Sequence, residues 1–120
     1  MIIAVPVDEK NLEAKVSISF GRTTYFMLYD TDKEEASFID NSAIASSGGA
    51  GIKAAQILVD NKVDIILTPR CGQNASDVVE GSNIKLYKTT EPSAKENIDK
   101  FLNDELILLD EIHPGYHGGN

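Results

Sequence analysis

Two short, almost wholly apolar, β-rich runs constrain this chain most: Ile2 to Val7, and Val63 to Leu67 with only Asp64 breaking it. Neither shows the polar alternation of a half-solvated strand. Each therefore predicts a strand covered on both faces, and Ile2 to Val7 is the expected central one. Between the two runs, Ile52, Ala55, Leu58 and Val59 recur at helical spacing. Ala54 and Ile57 widen that stripe enough to lie flat on a sheet, and the helix is expected to end near Asn61. Strand, helix and strand in this order make a crossover unit, which requires parallel pairing. The fold class is therefore α/β.

The remaining segments add to this unit. Val16 to Ser19 is extended and runs into Phe20, Gly21 and Arg22, where a loop or bulge is expected. Tyr25 to Tyr29 and Ala36 to Ile39, separated by the polar stretch Asp30 to Glu35, have the pattern of an antiparallel hairpin. Thr68 to Asn74 is expected to link a strand to a short helix that passes through Val78 and Val79 and stops at Gly81, and Ile84 to Tyr87 restarts a strand. Pro92 suits a first helical turn, Ser93 with Glu96 resembles a capping box, and Ala94, Ile98, Phe101 and Leu102 mark one helix face. Leu106 to Leu109 is expected as a short terminal strand. Together these predict one domain over residues 1–110, built on a mixed sheet of about five strands flanked by helices. Residues 111–120, with Pro114, three glycines, His113 and His117, are expected as a flexible tail.

Charge narrows the function. Eleven Lys and Arg against 19 Asp and Glu give a net charge of -8, which opposes binding to a phosphate backbone, so no nucleic-acid partner is expected. A single cysteine forms no internal disulfide, and the start MIIAVPV has no signal-peptide pattern, so a cytoplasmic protein without a membrane role is expected. Asp8, Asp30, Asp40 and Asp64 raise the idea of a two-metal nuclease, but only Asp8 falls at a suitable strand end.

In open α/β sheets ligands sit beyond the carboxyl ends of the parallel strands. Three loops meet that condition: Asp8 onward, Asn41 to Gly51, and Thr68 to Asn74. Ser46, Ser47, Gly48, Gly49, Ala50 and Gly51 open a helix, where small residues let backbone amides approach an anion. The same glycines also serve a tight turn, and the phosphate-loop and GxGxxG spacings are both missing. Arg70, Cys71, Gly72, Gln73 and Asn74 repeat the arrangement on the next strand. There a lone thiol stands beside a cation at a helix start, a setting that favours thiolate and metal ligation. The alternative for Cys71 is a small, partly buried residue.

Three pieces carry a family resemblance: Ser19, Phe20, Gly21 and Arg22 leading into Tyr25 and Phe26; Gly48 through Gln56; and Gly72, Gln73, Asn74 and Ala75. In this order and spacing they resemble the dinitrogenase iron-molybdenum cofactor biosynthesis family, the NifX- and NifY-like proteins that include the C-terminal part of NifB. The resemblance runs from Met1 to about Leu106. It implies a ribonuclease H-like three-layer fold without nuclease chemistry, which binds or carries an iron-sulfur cluster or an iron-molybdenum cofactor precursor cluster and exchanges it with donor or acceptor proteins. Arg22, Gly48, Gly49, Gly51, Cys71, Gly72 and Asn74 are the expected cluster-binding residues, with Cys71 as metal ligand. Ser19 stands where family members commonly carry a histidine, and Gln73 where they carry a proline. The alternative is an interaction or regulatory module of the same fold that has lost its cluster.

Overall fold

The computed structural model describes residues 1–45 and 47–109. The expected Gly/His tail, with His113 and His117, lies outside the described residues. Five strands form one sheet: β1 (Ile2–Val7), β2 (Tyr25–Asp30), β3 (Glu35–Asp40), β4 (Ile65–Thr68) and β5 (Lys85–Lys88), in the order β3-β2-β1-β4-β5. β1 pairs antiparallel with β2 and parallel with β4, β2 pairs antiparallel with β3, and β4 pairs parallel with β5. Only β2 runs against the rest. The helices are α1 (Ala50–Asp60), α2 (Gln73–Gly81) and α3 (Ala94–Leu102), and a short 3-10 turn spans Ser42–Ala45.

The pleat of β1 sorts the core into two layers. Ile3, Val5 and Val7 face one side with Met27, Ile65, Leu67, Ala94 and Ile98, beneath α3. Ala4 faces the other with Phe26, Ile66 and Leu86, beneath the α1 and α2 residues Ala54, Ala55, Leu58, Ala75 and Val79. All of β1 after Ile2 is buried, as a strand covered on both faces must be. The expected α/β class and mixed five-stranded sheet are therefore present.

Val16 to Ser19, expected as extended, makes a single bridge, from Val16 to Val7, before the chain turns away. Two local expectations are corrected. Leu106 to Leu109 likewise makes one bridge, Tyr87 to Leu108, although Lys88 donates to the Ile107 carbonyl at 2.9 Å and Leu109 to that of Leu86 at 2.9 Å. Pro92 lies outside the first turn of α3, whose N-cap is Ser93. The N-cap half of the expected capping box is present: Ser93 Oγ accepts from the Glu96 amide at 3.1 Å, and its hydroxyl donates to Glu96 Oε1 at 3.0 Å.

A buried amide side chain fixes how α3 meets the sheet. Asn97, fully buried, accepts from the amides of Thr90 (2.9 Å) and Glu91 (3.2 Å), and its Nδ2 donates to the carbonyls of Glu91 (2.9 Å) and Ser93 (2.8 Å). Truncation removes four hydrogen bonds to backbone and leaves the Thr90 and Glu91 amides and the Glu91 carbonyl without their Asn97 partner. Asn97→Ala is expected to cost about 2–4 kcal/mol of stability, read as a lowered urea midpoint.

Candidate functional site

Because β3 and β4 run in the same direction as β1, the helices that follow them, α1 and α2, both begin at the carboxyl end of β1. The β1–β2 connection folds back over the same end. These three segments enclose a cleft of about 570 Å³, walled by 18–21, 49–52 and 70–75.

Each wall has a local cause. The loop before β2 is anchored by Thr23, fully buried, whose Oγ1 donates to the Val7 carbonyl at 2.7 Å. Asn41, buried just after β3, donates from Nδ2 to the carbonyls of Gly21 (3.0 Å) and Thr23 (2.8 Å), and its Oδ1 accepts from the Ala43 amide at 3.2 Å. It thus ties the loop to the turn that leads into α1. Gly21 presses on the first turn of α1 so closely that a Cβ there would lie 2.9 Å from the Gly51 nitrogen and 3.0 Å from its Cα. Gly49 enters α1 in the left-handed conformation, at φ 69°.

The polar content of the cleft includes the backbone of two helix starts beside the side chains of Ser19, Arg70, Gln73 and Asn74. The N-caps of α1 and α2 are Gly49 and Gly72, neither offers a side-chain cap, and neither helix has an acidic residue in its first turn. The opening amides of two helices, with the positive ends of their dipoles, therefore face one cleft. Charge is arranged in the same sense. Arg70 is the charged side chain among the lining residues, which include no carboxylate, and Asp77, one turn into α2, accepts from the lining Gln73 Nε2 at 2.7 Å.

Of the residues expected at the site, Gly49, Gly51, Cys71, Gly72 and Asn74 line the cleft; Arg22 and Gly48 do not. Arg22 is exposed and donates from Nη1 to the Ile44 carbonyl at 3.2 Å. The expected binding set left out Arg70, the exposed cation on the wall that the sequence places beside Cys71, together with Phe20 and Gly21. Arg70 had a visible signal, its place beside the Gly72 loop. Asn41 had none, because its role depends on a contact 20 residues away.

Cys71 requires a correction. It is 2% exposed and belongs to the core cluster beneath α1 and α2. Burial first, and the charge of Glu80 second, push its thiol from 9.0 up to about 12. The expected thiolate is therefore a protonated thiol, since desolvation outweighs the helix start and Arg70. Among the described residues no three His, Cys, Asp or Glu side chains gather as a metal site. The four aspartates are used locally. Asp8 Oδ1 accepts from the Thr24 amide and hydroxyl, Asp64 Oδ2 accepts from the Ile2 amide, Asp30 Oδ1 accepts from the Asp32 and Lys33 amides in the hairpin, and Asp40 closes β3 opposite Tyr25. No helix among the described residues is long and apolar enough to cross a membrane.

A family model described as dinitrogenase iron-molybdenum cofactor matches residues 1–104. An uncharacterised protein of Methanocaldococcus jannaschii is 30% identical over 109 residues, covering 88% of this chain and 89% of that protein. The apo form of the orange protein from Desulfovibrio gigas superposes with a TM-score of 0.86 at 28% identity, over 91% of this chain and 92% of that one. The solution structure of a NifB candidate from Thermotoga superposes with a TM-score of 0.81 at 31% identity, over 92% of this chain and 95% of that one.

Two outcomes follow from the site's construction. Gly21→Ala forces a Cβ against backbone and is expected to cost about 1–3 kcal/mol in urea unfolding. Gly51→Ala, whose new Cβ meets only the Ala75 Cβ at 3.5 Å, is expected to be neutral to within about 1 kcal/mol. For Cys71 the raised native pKa means that the unfolded chain loses its thiol proton first as pH rises. Wild type should therefore lose stability between pH 9 and about 12, at up to roughly 1.4 kcal/mol per pH unit, and Cys71→Ala should lack that slope.

Proposed function

The chain belongs to the dinitrogenase iron-molybdenum cofactor family, and from that membership we propose that it binds and carries an anionic metal-sulfur cluster, with no turnover of its own. The cargo class is an iron-sulfur or iron-molybdenum cofactor precursor cluster, passed between a donor and an acceptor protein in the cytoplasm. The observation that carries this reading is the convergence of two helix starts, both without side-chain caps, on one cleft lined by Arg70 and by no carboxylate. Such a cleft attracts an anion from solution and presents it with donors already in place. Clusters of this kind carry negative charge and accept hydrogen bonds at sulfur.

In this reading Gly49, Gly51, Gly72 and Asn74 contribute backbone to the grip, and Arg70 contributes charge at the wall. Arg22 braces the 42–45 turn through the Ile44 carbonyl and adds to the positive field of that end. Gly48 belongs to the approach to α1. Cys71 is the soft ligand within reach of the cleft, and a metal ion would have to displace its proton to use it. We also read the strand order, with layers of helix on both faces, as ribonuclease H-like, and residues 1–110 as the cargo-binding domain.

The test is anaerobic titration with iron and sulfide, followed by visible absorption. Wild type is expected to take up cluster with an affinity that falls as salt rises. Arg70→Ala should weaken uptake about tenfold, the ~1.5 kcal/mol of one charge-assisted contact. If Cys71→Ala retains uptake, the anion grip suffices; if uptake disappears, the thiol is a ligand. No uptake by wild type overturns the carrier reading and leaves the interaction module.

A further inference from the structure

Two of the cleft walls, 18–21 and 49–52, come from separate stretches of chain and meet backbone to backbone. A Cβ on Gly21 would lie 2.9 Å from the Gly51 nitrogen and 3.2 Å from the Ala50 carbonyl carbon. Glycines offer no side chains to interlock across such a contact. The approach to α1 is open as well, since a Cβ at Gly48 or Gly49 would meet nothing within 4 Å. The loop wall therefore needs another tie to the helix start, and Asn41 supplies it.

Asn41 is 2% exposed and lies outside the cleft lining. Its single carboxamide reaches both sides of the contact. Nδ2 donates to the carbonyls of Gly21 and Thr23 in the loop, and Oδ1 accepts from the amide of Ala43 in the turn before α1. Ala43 is itself 2% exposed and belongs to the core layer that holds Ala54 and Ala55 of α1 and Phe20 of the loop. Donors and acceptor sit on one planar group, so satisfying all three bonds fixes one spacing between loop and turn.

We infer that Asn41 is a positioning residue of the cleft, setting how closely the loop wall stands to the opening amides of α1. For its ligand this rests on the anion-binding reading above; for its geometry it rests on the hydrogen bonds alone. An aspartate at this position keeps the size of the side chain and the acceptor for Ala43. It loses both donors and turns an oxygen toward two carbonyl oxygens. The loop wall is then released while the turn stays in place.

The experiment compares the full chain with Asn41→Asp in two readouts: hydrogen exchange at the amides of 18–23 and 49–53 without cargo, and anaerobic cluster uptake from iron and sulfide. Exchange is expected to quicken in both walls and not in β5. Uptake is expected to weaken about tenfold, the equivalent of one amide contact to an anion. Val63→Ala controls for general destabilisation. Val63 is buried in the same core layer, before the amino end of β4 and so away from the cleft. Its truncation should lower the urea midpoint and leave uptake as in wild type. Gly21→Ala disturbs the same contact from the other side with Asn41 intact. It should weaken uptake too, and it carries the test if Asn41→Asp does not fold. The inference is overturned if Asn41→Asp takes up cluster as wild type does, if neither wall exchanges faster, or if Val63→Ala weakens uptake equally. Each of these leaves the carrier reading intact. No uptake by wild type overturns the carrier reading, and exchange then decides this inference alone.

Discussion

Everything in this structure depends on β1 being hydrogen-bonded on both edges and buried on both faces. Its antiparallel neighbour β2 and its parallel neighbour β4, with helices over both faces, leave Ile3 to Val7 buried, so these residues must be apolar on either side of the pleat. That demand sets the layer arrangement, with α1 and α2 over Ala4 and α3 over Ile3, Val5 and Val7. It also sets polarity. With β3, β1, β4 and β5 pointing one way, every helix that follows one of these strands starts at the same end of the sheet. The positive end of the molecule is thus a product of topology before any charged side chain is counted.

Within that frame, buried amide side chains do the joining that apolar contacts cannot. Asn41 and Asn97 each sit at a place where a strand or loop must turn into helix and leave backbone groups unpaired. An amide side chain has a donor and an acceptor at one tip, so it satisfies carbonyls and amides together in a space too small for water. The site end of the fold is therefore held by direction-specific bonds. It owes less to the packing of large side chains, few of which line it apart from Phe20, Ile18 and Ile52.

How much of this was legible in the sequence follows the range of the forces involved. β1, the hairpin and the helix of the crossover unit are written in local periodicity, and the capping box of α3 in a four-residue pattern. The start of α1 at Ala50, two residues before its first large apolar side chain, shows the usual blur at a helix end. Val16 to Ser19 and Leu106 to Leu109 have strand-like composition, but each makes only one bridge to the sheet. At Cys71 the visible neighbours, Arg70 and a helix start, favour thiolate, and the invisible one, burial beneath α1 and α2, prevails. The glycines of the cleft were visible as a group. That Gly21 abuts the Gly51 backbone while Gly72 faces open space was not, since only the tertiary approach separates them.

The floor of the cleft includes the peptide groups of two helix starts, and that governs how such a site changes over generations. A peptide N–H persists through any substitution except one to proline, so the side chains at Ile52, Gln73 and Asn74 can drift while the donors stay where the helices put them. Gly21, whose added Cβ would meet the Gly51 backbone, has no such freedom. Descendants of one ancestral cleft can then diverge in what they admit through the rim and still share the same floor. Selection on this site would act on the access of cargo far more readily than on the means of holding it.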